Sequence, residues 1–372
     1  MTKTIESLIH NKVKDLKPYL PGKSIKEIQQ KYQLKNVIKL ASNENAWGCS
    51  PQVLASIKNT CMDDIYQYPN TYLHPFFQHL QHFLQVPKEC LFISNGSDSI
   101  FTFLIQAFAL PQQKKILTHQ YAFMGYEIQA HTFGLDCEKV AVDPITWQFN
   151  LQDMIAQSQH NTGIIFLANP NNPTGQYLTW NEIAELLEKM PKDCLLVIDE
   201  AYYEYVDILH PQLNSLIEQY PNLIITRTFS KAYGMASLRL GYAIAHPKIV
   251  EILKKIQLPF SVNQIALNAG FHALKDEAFI KNSVRLTHKE KNTLENALKN
   301  FPFKIHTGQG NFTTIELPYD SLILVTYLES QGIIVRPLHA FGLAQGVRIT
   351  IGQAFQNEIL INVLQRYKEI AK

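Results

Sequence analysis

Four polar stretches hold the side chains with chemical potential. In TRTFSKAYGMASLRLGY, residues 226–242, Lys231 follows an apolar run, has Thr228 and Ser230 beside it, and is followed by Arg239 in the same glycine-bounded loop. A lysine is ordinarily a solvated surface charge. Here the strand end, the hydroxyl neighbours and the arginine together describe a partly desolvated amine beside an anion site, the setting that a Schiff-base lysine needs. Asp199 closes the apolar run LLVID. A carboxylate there serves either as a helix N-cap or as a functional charge. Facing a pyridine ring it would keep the ring nitrogen protonated, so that the ring accepts electrons from a developing carbanion. Tyr202 of DEAYYEY and Asn172 of NPNNPTG are placed to hydrogen-bond a phenolic oxygen on such a ring, although Asn, Pro and Gly also make ordinary turns. NGSDS, residues 95–99, reads as a turn and N-cap before an apolar helix, and its Ser97 and Asp98 also open backbone N–H groups to a phosphate. Phe123 is an aromatic in a loop that either packs or covers one face of a ring.

These residues need a frame that brings them together. The runs at 115–118, 163–168, 195–199 and 223–227 are apolar on both faces and separated by helical patterns, which predicts buried parallel strands in an α/β sheet. Ligands in such sheets sit beyond the carboxyl ends of the strands, and there the polar groups above converge. The last hundred or so residues change character: helical text from about 264 to 300 precedes shorter, alternating runs at 311–317, 333–337 and 347–352, then a closing helix. The expected organisation is an N-terminal segment, 1–45, that joins a small α+β domain at 263–372, with a large domain at 46–262 whose mostly parallel sheet is flanked by helices.

Composition excludes several classes. The 372 residues are 46% hydrophobic and carry a net charge of +2, so neither disorder nor a broad basic field for a nucleic acid is expected. The apolar runs are too short or too interrupted to span a membrane. The N-terminus lacks a signal-peptide core, and the five cysteines are scattered without a CxxC pair, which predicts a cytoplasmic protein with neither disulfides nor bound metal. No GxGxxG or GxxxxGK[ST] loop follows a strand, which disfavours a nucleotide-binding protein.

NGSD, NPNNPTG, DEAYYEY and TFSKAYGMASLRLGY, in this order and spacing, resemble the fold-type-I pyridoxal-phosphate aminotransferases. Within that family the histidinol-phosphate branch is the nearest likeness, through PYLPG at 18–22, KLASNEN at 39–45, QYP at 67–69, GIIVRP at 332–337 and GVRITIG at 346–352. The likeness runs over essentially the whole chain. It departs from the family pattern at Ala46 and Cys49, where prolines are usual, and at Ser237, where glycine is common.

The resemblance implies that Lys231 forms the internal aldimine with pyridoxal 5'-phosphate, Asp199 pairs with the pyridinium nitrogen, and Tyr202 and Asn172 bind the phenolic oxygen. It further implies that Ser97, Asp98, Thr228, Ser230 and Arg239 surround the cofactor phosphate and that Phe123 stacks on the ring. Tyr68 would reach the phosphate of a neighbouring subunit's cofactor, which implies a homodimer with shared sites. Arg336 and Arg348 would hold the substrate's anionic group, with Tyr19 and Asn43 nearby. The implied reaction is a ping-pong transamination between L-histidinol phosphate and 2-oxoglutarate, giving imidazole-acetol phosphate and L-glutamate, in histidine biosynthesis. An aromatic amino-acid aminotransferase is the alternative on the same scaffold, followed by an amino-acid-phosphate decarboxylase and a non-catalytic cofactor-binding module. Arg336 and Tyr19 are the discriminators, because a reader of plain aromatic side chains does not need the extra cation.

Overall fold

The computed structural model describes residues 5–16, 22–207 and 211–370. Seven strands form the main sheet: β1 (Leu91–Ser94), β2 (Lys115–His119), β3 (Cys137–Val140), β4 (Thr162–Ala168), β5 (Leu195–Asp199), β6 (Leu223–Thr228) and β7 (Gly241–Ala245). Their order across the sheet is β1-β7-β6-β5-β4-β2-β3, and every pairing is parallel except the two made by β7. The fold is α/β, with helices on both faces of this sheet. β4 is buried along its whole length, and its Ile164, Phe166 and Ala168 enter one core while Ile165 and Leu167 enter the other. That two-faced burial is why continuous apolar runs marked the central strands.

Three strands carried no such mark. β3 lies at the sheet edge with Glu138 and Lys139 exposed, β7 is built from Gly, Ala and Ile around one tyrosine, and β1 is short. Small residues suit β7 because other backbone crowds it: a Cβ on Gly241 would stand 2.6 Å from the backbone nitrogen of Ser97.

The second lobe holds an antiparallel sheet of β8 (Lys304–His306), β9 (Phe312–Glu316), β10 (Arg336–Pro337) and β11 (Gly346–Thr350), in the order β10-β11-β9-β8. Ile38–Lys39 of the N-terminal segment pairs in parallel with Ile333–Ile334, and Leu40 joins the core of this lobe beside Leu294, Ile315 and Val347. The helix Gln264–Lys275 buries Ala266, Leu267, Ala269, Ala273 and Leu274 in the core of the main sheet, packed against the helices Pro51–Lys58 and Pro75–Leu84. The long helix Glu277–Leu298, N-capped by Asp276, then crosses to the small lobe, where Leu294 and Leu298 are buried.

Candidate active site

A crevice of about 210 Å³ opens at the carboxyl ends of β4, β5 and β6, and its walls include Ser97, Asp98, Phe123, Asn172, Asp199, Tyr202, Thr228, Ser230, Lys231 and Arg239. Parallel strands all end on one edge of the sheet, so residues far apart in sequence arrive together there. A second compartment of about 110 Å³ shares Phe123, Asn172, Tyr202 and Lys231 with it and adds Arg336 and Arg348 from the small lobe.

At one end of the crevice lies Asp199, 6% exposed. It caps no helix. Its Oδ2 accepts a hydrogen bond from Tyr126 Oη at 2.8 Å, and its Oδ1 accepts from Thr226 Oγ1 at 3.3 Å. Burial pushes its carboxyl up to about 7, with nearby Asp98 adding to the rise and the hydrogen bonds from Tyr126 and Thr226 opposing it. A cation placed against it would favour the charged carboxylate.

At the other end is a cradle of donors. Thr228 Oγ1 donates to Ser230 Oγ at 3.0 Å and accepts from the Ser230 backbone N–H at 3.1 Å. Arg239, itself at φ +56°, donates from Nη1 to Ser230 Oγ at 3.4 Å, and its Nη2 lies 3.6 Å from Asp98 Oδ2. Gly96 has φ +74°, and a Cβ there would stand 2.6 Å from Arg239 Nη2, so only glycine leaves the guanidinium its place. Ser97 stands at the helix start, but its hydroxyl makes no capping bond. The donor set and the missing Cβ fit a phosphate; a buried acid at the far end and a lysine between them fit a pyridine aldehyde.

Lys231 follows β6 and donates from Nζ to the carbonyl of Ser42 at 3.3 Å, with Nζ 5.7 Å from the Tyr202 ring centroid. Tyr202 is 3% exposed, and its Oη accepts from Asn43 Nδ2 at 2.8 Å. Asn43 is fully buried at φ +56°, and its Oδ1 accepts from Thr350 Oγ1 at 3.0 Å. Expected near the substrate anion, it braces Tyr202 in this structure. Asn172 is presented by a self-tied loop, in which Asn169 Nδ2 donates to the Leu178 carbonyl and Asn171 Nδ2 donates to Thr174 Oγ1. Its Oδ1 accepts from Arg348 Nη1, while Arg348 Nη2 donates to the Ala41 carbonyl at 2.5 Å. Arg336 and Arg348 are directly opposite each other across β10 and β11.

One expected residue stands apart from the crevice of its own chain, and another is not described. Tyr68 is 80% exposed and stacks on Phe260 at 4.5 Å, outside the crevice of its own chain. Tyr19 lies outside the described residues. Conversely, Tyr126 carried no signal: in the sequence it is one more aromatic in a helix, three residues after Phe123.

A family model for class I and II aminotransferases matches residues 35–364. The chain belongs to that family. Class I and II aminotransferases are transaminases that depend on pyridoxal phosphate, and this aminotransferase is similar over its length to curated relatives. It is 44% identical to histidinol-phosphate aminotransferase 2 of Legionella pneumophila (strain Paris) over 99% of this chain and all of that protein. It is 36% identical to the histidinol-phosphate aminotransferase of Anoxybacillus flavithermus, over 96% of this chain and 95% of the other. Among solved structures, the histidinol-phosphate aminotransferase of Sinorhizobium meliloti in complex with pyridoxal-5'-phosphate superposes with a TM-score of 0.85, covering 97% of this chain and 98% of that one at 23% identity. The shared fold is that of the fold-type-I enzymes, as the motif order implied.

Proposed function

We propose that this aminotransferase moves the amino group between L-histidinol phosphate and 2-oxoglutarate in the cytoplasm. The observation that carries the substrate reading is the pair Arg336 and Arg348, in register on adjacent strands and lining the compartment next to Lys231. Like charges directly opposite in a sheet repel, and an anion between them converts the repulsion into attraction. Two forked cations suit a phosphate monoester and the side-chain carboxylate of glutamate in turn. The full-length likeness to histidinol-phosphate aminotransferases supports the same substrate.

Bound pyridoxal phosphate would supply an electron-withdrawing ring that takes up the negative charge left when the substrate Cα loses its proton. Lys231 Nζ would hold the cofactor at its aldehyde carbon, and its amine is the group placed to move the proton at the substrate Cα. Asp199 would hold the proton on the ring nitrogen. Because Tyr202 Oη already accepts from Asn43, its own proton is directed to the phenolic oxygen. Asn172 Oδ1 is engaged by Arg348, which leaves its Nδ2 to donate to the same oxygen. Thr228, Ser230 and Arg239, with Ser97 and Asp98 at the helix start, would hold the phosphate, and Phe123 would cover the ring.

The protein acts as a homodimer in this reading, with Tyr68 completing the partner's phosphate site. Support comes from the exposed apolar surface around it: Met62, Ile65, Tyr66, Leu73 and Leu258 are each more than half exposed.

The test is a steady-state comparison of histidinol phosphate with histidinol, phenylalanine and tyrosine as amino donors. Two charge-assisted hydrogen bonds to phosphate predict a kcat/KM advantage of about 100-fold or more for the phosphorylated donor. An advantage of only a few-fold would refute the phosphate reading and favour the aromatic substrates.

A further inference from the structure

The proposed function uses Asp199 but leaves unexplained what surrounds it. Tyr126 lies on the helix Gly125–Thr132 and is fully buried. Its ring stacks on Phe166 of β4 at 4.9 Å with an interplanar angle of 9°, and meets Phe101 edge-on at 5.1 Å and Phe123 edge-on at 5.5 Å. Three aromatic side chains thus hold one phenol in place, and its hydroxyl reaches Asp199 Oδ2 at 2.8 Å. Thr226 reaches the other carboxylate oxygen, and Asp98 and Tyr202 are the remaining ionisable groups that bear on the pair.

We propose that Tyr126 is a positioning residue for the cofactor ring: its phenol locks the plane of the Asp199 carboxylate toward the crevice and sets how firmly the shared proton stays on the ring nitrogen. The physical argument is a balance of donors. A buried carboxylate that accepts a strong hydrogen bond is less basic, so it leaves the proton on the ring rather than taking it. The phenol stays protonated here, since burial and the adjacent carboxylate both raise its pKa, so it is a donor throughout the working range. Phe123 joins both functions, lining the crevice on one side and packing on Tyr126 on the other. The inference rests on Asp199 being the ring-nitrogen partner.

The experiment separates the two. Tyr126→Phe keeps the aromatic stack and deletes only the hydroxyl. Apoprotein is loaded with pyridoxal phosphate labelled with nitrogen-15 in the ring, and the ring-nitrogen chemical shift and the cofactor dissociation constant are measured. The expected result is a shift toward the neutral-ring value and an affinity lower by about tenfold. Site-specific Tyr126→fluorotyrosine, a stronger donor of nearly the same shape, should move the shift the opposite way, which a role in packing alone would not produce. It also serves as the readout if the phenylalanine variant folds poorly. Unchanged shifts in both variants overturn the proposal. Asp199→Asn is the control: if it leaves the ring-nitrogen signal at its wild-type position, the pairing of Asp199 with the ring fails. If it moves the signal and the Tyr126 variants do not, only the role of Tyr126 fails.

Discussion

In the cofactor-free protein, Asp199→Asn should become more stable relative to wild type as the pH rises. The Asp199 carboxyl ionises at about 7 in the folded chain, against a usual 3.8, because the fold removes it from water without supplying a cation. Between those values the folded chain binds a proton that the unfolded chain has released. Stability attached to this group is therefore fully present below about pH 4 and is lost as the pH rises toward 7. At about 1.4 kcal/mol per unit over roughly three units, the loss approaches ~4 kcal/mol. An asparagine has the same shape, can accept from Tyr126 through its amide oxygen while its amide nitrogen faces the Thr226 hydroxyl oxygen as a donor, and does not titrate. Urea unfolding of both proteins, from about pH 4 to about pH 8, should show a difference that grows with pH and levels off above about 7. Comparing the two proteins cancels other buried groups, such as His119, which burial pushes down to about 4, and Glu204, which burial pushes up to about 7. With pyridoxal phosphate bound, the proposed pairing with the ring nitrogen would supply the missing cation, and the wild-type loss should disappear. A difference that does not change with pH would refute the reasoning, since it would mean that the carboxylate is already charged at neutrality without a partner.

Other outcomes follow from the same geometry. Lys231→Ala should bind pyridoxal phosphate without becoming covalently labelled on borohydride reduction and should lose turnover; wild-type labelling elsewhere in the chain would remove Lys231 from its role. Arg336→Gln should lower kcat/KM for histidinol phosphate by about 10- to 100-fold while changing donors without phosphate far less, and equal losses on both would show that Arg336 does not read the phosphate. Gly234→Ala should destabilise the fold by more than ~3 kcal/mol, because the residue sits at φ +68° and its Cβ would meet the Gly48 carbonyl oxygen at 2.0 Å. A thermal midpoint within a few degrees of wild type would contradict that contact.

The sequence by itself determined the central strands, the residues at their carboxyl ends and the change of character toward a second lobe. Those features are written locally: an apolar run buried on both faces is legible in five to seven residues, and a motif such as NPNNPTG carries its own turn. It was silent on β3 and β7, where an exposed edge and a crowded backbone call for polar or small residues instead of an apolar run. Only the tertiary structure decided which side chains meet. Tyr126 and Asp199 are 73 positions apart, Asn43 and Tyr202 159, and Asn172 and Arg348 176. Each contact depends on strand order or on how one lobe seats against the other. That is why the bond from Asn43 to Tyr202 could not be read from the sequence, nor the pairing of the two arginines: their register across β10 and β11 is a property of the folded sheet, not of either strand.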